Sequence, residues 1–263
     1  MADLNRRTFG QAGVQSQADI DEGLRAYMLK VYNYMAIGLA LTGVAALLFA
    51  NLATTGDASA AAAQLPNGKM LTEFGVMLFT SPLRWVVMLA PLGLVFFLVA
   101  KVPTMSVSAA QTTFWAYAAL MGVSLSSIFV IYTPESITQV FFVTSASFLG
   151  LSLYGYTTKK DLSGWGSFLM MGLIGIILAS IVNIFLGSSA LQFAISVIGV
   201  LVFAGLTAYD TQQINNMYDV NDDGTASGRK AIMGALKLYL DFVNLFIMLL
   251  HLFGNRNYHS AVI

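Results

Sequence analysis

The chain contains seven apolar stretches, each long enough to cross a lipid bilayer. A spanning helix needs about 20 mainly apolar residues to cross a hydrocarbon core roughly 30 Å thick. Seven segments meet that requirement, near residues 31–53, 83–100, 109–132, 137–157, 167–187, 190–212 and 231–253. Charged residues make up only 10% of the chain, too few to cover a soluble surface, for which about 25% is typical. The sequence therefore predicts an all-α integral membrane protein whose solvent is the lipid bilayer.

The connections between the stretches predict one membrane domain. The connectors at 133–136 and 187–189 are a few residues long, so spans three and four, and spans five and six, are expected to be antiparallel neighbours. Only the 54–81 connection is long, and its 57–68 part is expected to be irregular. The first 30 residues are polar and lack a signal-peptide core. We expect a tail at 1–30, a seven-transmembrane-helix bundle at 31–254 and a short tail at 255–263.

The basic residues predict the orientation in the membrane. Cytoplasmic segments of membrane proteins carry an excess of lysine and arginine. With the N-terminus cytoplasmic, ten basic residues fall inside and three outside, so the C-terminus is expected outside after seven crossings. The net charge of +0 gives no reason to expect nucleic acid as a partner, and the absence of cysteine excludes disulfides and thiolate metal sites. The inside set is Arg6, Arg7, Arg25, Lys30, Lys101, Lys159, Lys160, Arg229, Lys230 and Lys237, and the outside set is Lys69, Arg84 and Arg256.

Two acidic residues lie within or at the end of apolar stretches. Of thirteen acidic residues, eleven fall in tails or connections, which leaves Asp210 and Asp241. Asp241 is eleven residues beyond Lys230, about 16 Å along a helix. A charge at that depth costs roughly 2.5 to 3.5 kcal/mol on insertion scales and usually faces the bundle interior. The seventh helix, which carries this deeper aspartate, is therefore expected at the centre of the bundle.

The two aspartates are predicted to meet across the last helical hairpin. If the sixth helix continues to about Asp219 and the seventh begins near Arg229, Asp210 lies nine residues from the turn and Asp241 twelve. The mismatch is only about 4.5 Å at 1.5 Å per residue. Asn244 lies three residues from Asp241, on the same helix face.

Such a pair has a definite chemistry. Two adjacent carboxyls in a low dielectric share a proton and titrate as a unit. They also offer hard oxygen ligands, so calcium is a candidate metal, for which protons would compete. A simpler reading leaves Asp210 solvated at the end of its helix and pairs Asp241 with Lys237, one turn earlier.

Two other patterns in the sequence point to different functions. Tyr209-Asp210 and Leu240-Asp241 are similar to the two aspartate motifs of intramembrane aspartyl proteases, but the Gly-x-Gly before the second aspartate and a later Pro-Ala-Leu are missing. The 219–230 connection matches the first half of an EF-hand loop but has Lys230 where a bidentate glutamate is needed. The favoured expectation is a non-enzymatic protein with no catalytic residue and no cofactor.

Three stretches resemble one known family. They are GLTAYDTQQI at 205–214, KLYLDFVNLFIMLLHLFG at 237–254 and TKKDLSGWGS at 158–167. Together with the seven-helix layout they resemble the Bax inhibitor-1 family, and the chain looks like a bacterial member in the inner membrane.

The resemblance implies a pH-sensitive calcium leak whose paired-aspartate sensor and gate are Asp210 and Asp241. By helix position, Lys101 corresponds to a basic latch residue that is arginine in similar bacterial members, and lysine lacks the bidentate fork of arginine. His251 also occupies a position at which similar family members carry arginine. Tyr209 and Lys237 are polar residues expected to support the aspartate pair. An alternative implied role is a non-transporting regulator of another membrane protein, such as a membrane-bound protease, or of a stress or cell-death pathway.

Overall fold

The computed structural model describes residues 17–256, which are built mainly from helices. Within that range seven helical segments are long and apolar enough to cross a membrane, so the predicted all-α seven-helix membrane fold is confirmed. The third span consists of α4 followed by α5, and the second and fifth spans each join an α-helix to a one-turn 3-10 helix, at Val102–Thr104 after α3 and at Ser163–Trp165 before α7. Numbered along the chain, the helices are α1 Gln17–Ala53, α2 Glu73–Phe79, α3 Leu83–Lys101, α4 Val107–Leu125, α5 Ser127–Ile131, α6 Pro134–Thr157, α7 Gly166–Leu186, α8 Ser189–Asn216 and α9 Gly224–Phe253.

Hydroxyl and carboxyl side chains define where several helices begin. Ser106, Thr133, Ser188 and Asp223 each accept a hydrogen bond from the backbone N–H three residues further on, at the starts of α4, α6, α8 and α9. Such caps satisfy backbone donors that have no partner within the helix. At the other end of α7, Gly187 adopts a left-handed conformation with φ 59°, which glycine permits without steric cost. The short connectors predicted at 133–136 and 187–189 are thus fixed by local chemistry.

The first helix begins earlier than the predicted span. α1 starts at Gln17, so it takes in part of the segment predicted as a tail. Tyr27 and Met28 are buried, and the Tyr27 ring lies 5.7 Å from the ring of Tyr218, just beyond α8. These contacts hold the first turns of α1 against the bundle. Residues 1–16 and 257–263 of the predicted tails lie outside the described residues.

The third span is interrupted at Ser126. α4 ends at Leu125 and α5 begins at Ser127. The Ser126 hydroxyl donates to the carbonyl oxygen of Val123 at 2.6 Å, and its backbone N–H bonds the same carbonyl. A serine that bonds a nearby backbone carbonyl competes with the helical ladder, which explains the break.

The long 54–81 connection is more ordered than expected. It contains three two-residue antiparallel strands, β1 Thr54–Thr55, β2 Ala63–Gln64 and β3 Met70–Leu71, in the order β1-β3-β2. The short α2 follows. The Asn67 side chain donates to the Val130 carbonyl oxygen at 3.0 Å, so the connection is fastened to the end of α5.

α9 is the most buried span. Two thirds (67%) of its most apolar window is buried, against 17% to 39% for the other spans. It packs against α1, α4, α6 and α8. These contacts favour the predicted central position of the seventh span, which stays a prediction. Helices α3 and α7, by contrast, expose large apolar side chains such as Phe96 and Phe185, as helices that face lipid do.

Candidate functional site

Asp241 is a buried carboxyl on the most buried helix. Its residue surface is 4% exposed. Its Oδ2 atom is buried and has no hydrogen-bond partner among residues 20–256, whose side chains the structure describes. Since burying an uncompensated polar atom is costly, this atom indicates a place that a proton, a water molecule or a cation can occupy.

Asp210 lies opposite Asp241, on α8. Its side chain is 15% exposed, and its carboxyl is close enough to that of Asp241 for the two to interact electrostatically. Two carboxyls so close together in a low dielectric do not both ionise readily, so the pair favours holding one proton. The structure thus brings together the two aspartates that the spacing from the turn predicted to meet.

Lys237 supplies the positive charge of the site. Its Nζ atom lies 3.7 Å from Asp210 Oδ1, so the ion pair joins α8 to α9. The simpler sequence reading is wrong on this point, because the lysine contacts the aspartate of the neighbouring helix and not Asp241 one turn away. Two carboxyls and one ammonium balance in charge when the carboxyls share one proton.

The other candidate residues do not bond to the aspartate pair within the described range. Lys101 is exposed at the end of α3 and forms no ion pair with either aspartate within the described range; its role as a latch stays a prediction. The Asn244 amide donates to its own helix, at the Leu240 carbonyl oxygen, 2.8 Å away. His251 Nδ1 lies 3.2 Å from Gln192 Nε2, near the far end of α9. Tyr209 packs its hydroxyl beside Gly166, at the start of α7.

A chain of hydroxyl groups beside the pair was missed by the sequence reasoning. Tyr32 Oη lies 2.6 Å from Ser152 Oγ, which lies 2.9 Å from Thr211 Oγ1. Thr211 donates to the Thr207 carbonyl oxygen at 2.7 Å. Its hydroxyl therefore accepts from Ser152, and Ser152 accepts from Tyr32. The chain crosses from α1 through α6 to α8 and ends at the residue next to Asp210. Isolated hydroxyls in apolar runs were its only sequence signal.

Gln212 fastens the α6–α7 connection to the same stretch of α8. It is buried, accepts from the Leu162 backbone N–H at 2.8 Å and donates to the Lys160 carbonyl oxygen at 2.8 Å. A glutamine so close to an apolar run was the only hint of this in the sequence. These hydrogen bonds place the α6–α7 connection, which is predicted to be cytoplasmic, directly beside the aspartate pair.

The carboxyls of the acidic α8–α9 connection bond to groups in the same connection and in α9. Asp222 Oδ2 lies 2.6 Å from Lys230 Nζ, and Asp223 caps α9. Hydrogen bonds from Asn221 hold the pKa of the Asp219 carboxyl below its usual range. Among the side chains that the structure describes, those of residues 20–256, no group of three or more metal-ligating His, Cys, Asp or Glu occurs. A cation held by Asp210 and Asp241 would need its remaining oxygen ligands from carbonyls or water.

Sequence comparison shows which known proteins this chain is similar to. The model of the family described as "Inhibitor of apoptosis-promoting Bax1" matches residues 24–258. The inner membrane protein YbhL of Escherichia coli K12 is 47% identical over 237 residues, which cover 89% of this chain and 93% of that protein. Proteins described as uncharacterized from Rickettsia prowazekii and Caulobacter vibrioides are 46% and 42% identical, and the matches cover 90% and 97% of this chain and 92% and 99% of those proteins.

Proposed function

This chain belongs to the Bax inhibitor-1 family, and on that premise we propose that it is a pH-sensitive cation leak, chiefly for calcium, gated by Asp210 and Asp241. The observation that carries the proposal is the buried Asp241 carboxyl, which faces Asp210 and leaves Oδ2 without a partner among the described residues. Ionisable groups inside a membrane are costly and mark ion or proton pathways.

The pair responds to pH because three charged groups share one small space. When both carboxyls are ionised, the site carries a net negative charge in spite of Lys237 and attracts a cation. Protonation removes that charge and weakens the 3.7 Å ion pair that joins Asp210 on α8 to Lys237 on α9. Protons thus compete with the cation and also loosen the contact between the two helices.

The incomplete ligand set suits a leak better than a storage site. Calcium takes six to eight oxygen ligands, and the pair offers two carboxyls. A pathway must bind its ion strongly enough to admit it and weakly enough to release it. Two carboxyls completed by water meet that condition.

The test is calcium flux into proteoliposomes of the purified protein across a pH series. Wild type is compared with Asp210→Asn and Asp241→Asn, and Asp57→Asn serves as the matched control because Asp57 is exposed in the 54–81 connection, far along the chain from the pair. We expect pH-dependent flux in wild type and in Asp57→Asn, and an altered pH profile in both other variants.

Each other result removes one part of the proposal. Flux no greater than in empty vesicles at every pH rejects the leak and favours a non-transporting regulator of another membrane protein, such as a membrane-bound protease. Wild-type profiles in both asparagine variants reject the sensor and leave the leak. Cleavage of a transmembrane peptide, lost in either variant, favours an intramembrane protease instead.

We also propose that the protein lies in a bacterial inner membrane with its N-terminus cytoplasmic and its C-terminus outside. The excess of basic residues on one side of the predicted topology, and the inner membrane location in the name of the Escherichia coli relative, support this location. A C-terminal fusion to a phosphatase that is active only outside the cytoplasm should be active, and an inactive but stable fusion contradicts the orientation.

A further inference from the structure

A polar cavity lies at the end of the bundle remote from Asp210. It has a volume of about 700 Å³ and is bounded by the start of α8 and the end of α9. Gln192 links its walls, because its Oε1 accepts from Asn183 Nδ2 at 3.2 Å and its Nε2 lies 3.2 Å from His251 Nδ1. Ser196, one turn further into the bundle, is buried and also lines the cavity. Gln192 and Asp210 are eighteen residues apart on α8, about 27 Å along a helix.

An apolar layer separates this cavity from the aspartate pair. Met248 lies seven residues after Asp241, two turns further along nearly the same face of α9. It packs directly on Gly199 of α8, where an added Cβ would lie 2.8 Å from both the Cγ and Sδ atoms of Met248. Phe203 and Leu245 are buried in the same apolar cluster. The contact between α8 and α9 is therefore polar at two levels and apolar between them.

We propose that Met248, packed on Gly199, closes the cation path between the aspartate pair and the 700 Å³ cavity, and that this cavity is the outer vestibule of the path. The inference rests on the proposed leak. Narrow apolar constrictions exclude water and thereby block ions. Methionine suits such a position because its unbranched side chain can change rotamer, and Gly199 offers no side chain that would block the path once the methionine moves.

Thiol labelling tests the closure without measuring calcium. The chain contains no cysteine, so single cysteines can be introduced without other changes. Ser189→Cys places an exposed thiol at the cavity, and Asn244→Cys places one on α9 between Asp241 and Met248. A positively charged, membrane-impermeant thiol reagent is applied to sealed vesicles from each side in turn. Ser189→Cys should react from the vestibule side, whereas Asn244→Cys should not react from that side.

Variants at Met248 then test its role. Met248→Ala should raise the labelling rate of Asn244→Cys from the vestibule side several-fold, whereas Met248→Leu should leave it low. Ile176→Ala is the matched control, since it deletes apolar volume from the same cluster on α7, which packs on α8. Met248→Ala should also raise calcium flux at a pH where wild type is nearly closed. If Met248→Ala does not fold, Gly199→Ala displaces the methionine and should give the same labelling.

The proposal fails if Asn244→Cys reacts from the vestibule side with Met248 in place. It also fails if Ile176→Ala opens the site as much as Met248→Ala, or if neither Met248→Ala nor Gly199→Ala changes the labelling. The proposed leak fails separately: if vesicles carry no calcium at any pH while the labelling pattern holds, the closed water path stands without the transport function.

Discussion

Gly155 on α6 sets how closely α6 approaches the helix of Asp210. An added Cβ there would overlap the Ala208 carbonyl oxygen and lie 2.9 Å from the carbonyl carbon. Both atoms belong to the α8 backbone and cannot rotate away. Gly155→Ala therefore forces α6 and α8 apart by at least about half an ångström, since carbon atoms prefer separations of 3.5 to 4.0 Å. Overpacking of this kind costs about 1 to 3 kcal/mol, which corresponds to a fall in Tm of about 2 to 12 °C.

The same helix supplies the matched control. Gly150 also lies on α6, and nothing lies within 4 Å of a Cβ added there. Gly150→Ala should leave the Tm unchanged or slightly raised, because alanine is a better helix former than glycine. Thermal unfolding of detergent-solubilised protein, followed by intrinsic tryptophan fluorescence, measures both variants. Equal Tm values for the two would refute the close α6–α8 contact. Because Ala208 is two residues from Asp210, Gly155→Ala should also alter the pH profile of calcium flux, and Gly150→Ala should not.

Three further predictions concern individual side chains. Lys237→Met removes the ammonium that favours ionised carboxyls, so the midpoint of the flux–pH curve should move to higher pH; an unmoved midpoint would show that the lysine does not act on the pair. Tyr32→Phe removes one member of the hydroxyl chain and should lower stability by about 0.5 to 1.5 kcal/mol, measured as a lower Tm than wild type, with no change counting against the hydrogen bond. Asp223→Ala removes the cap of α9 and should cost about 1 kcal/mol, whereas Asp223→Asn, which keeps a capping oxygen, should cost much less.

The spans were predictable because the length of an apolar run depends on local sequence alone. The exceptions depend on contacts that are remote in sequence. α1 extends back to Gln17, and its residue Tyr27 packs against Tyr218, a partner that the mixed polar and apolar residues around Tyr27 do not reveal. The break at Ser126 has a local cause, but several serines nearby have the same character, and only one of them ends a helix.

The aspartate contact was predicted by counting residues from the turn of the last helical hairpin, but the observed helix ends do not reproduce that count. Because α8 ends at Asn216 and α9 begins at Gly224, Asp210 lies six residues from its helix end and Asp241 lies seventeen, an offset of about 16 Å along the helices. The pair therefore meets because the first turns of α9 extend past the end of α8. The partner of Lys237 could not be obtained in this way. Both aspartates lie within reach of its long side chain, and helix crossing and side-chain rotamers decide between them. The hydroxyl chain through Ser152 was likewise hidden, because it joins three helices that the sequence does not place side by side.

The surroundings of the pair explain how a change of charge there could move large parts of the molecule. On α8, Gln212 holds the α6–α7 connection and Ala208 packs against Gly155 of α6, so Asp210 is tied to α6 and α7. Asp241 and Lys237 belong to α9, which also packs against α1 and α4. The pair therefore lies where the α6–α7–α8 group meets the α1–α4–α9 group. Protonation of the pair would weaken the Lys237 contact at that boundary. The Met248–Gly199 contact belongs to the same boundary, further along α8 and α9. On the proposed mechanism, a proton bound near one end of α8 therefore loosens the apolar layer nearer the other end, because both contacts join the same two helices.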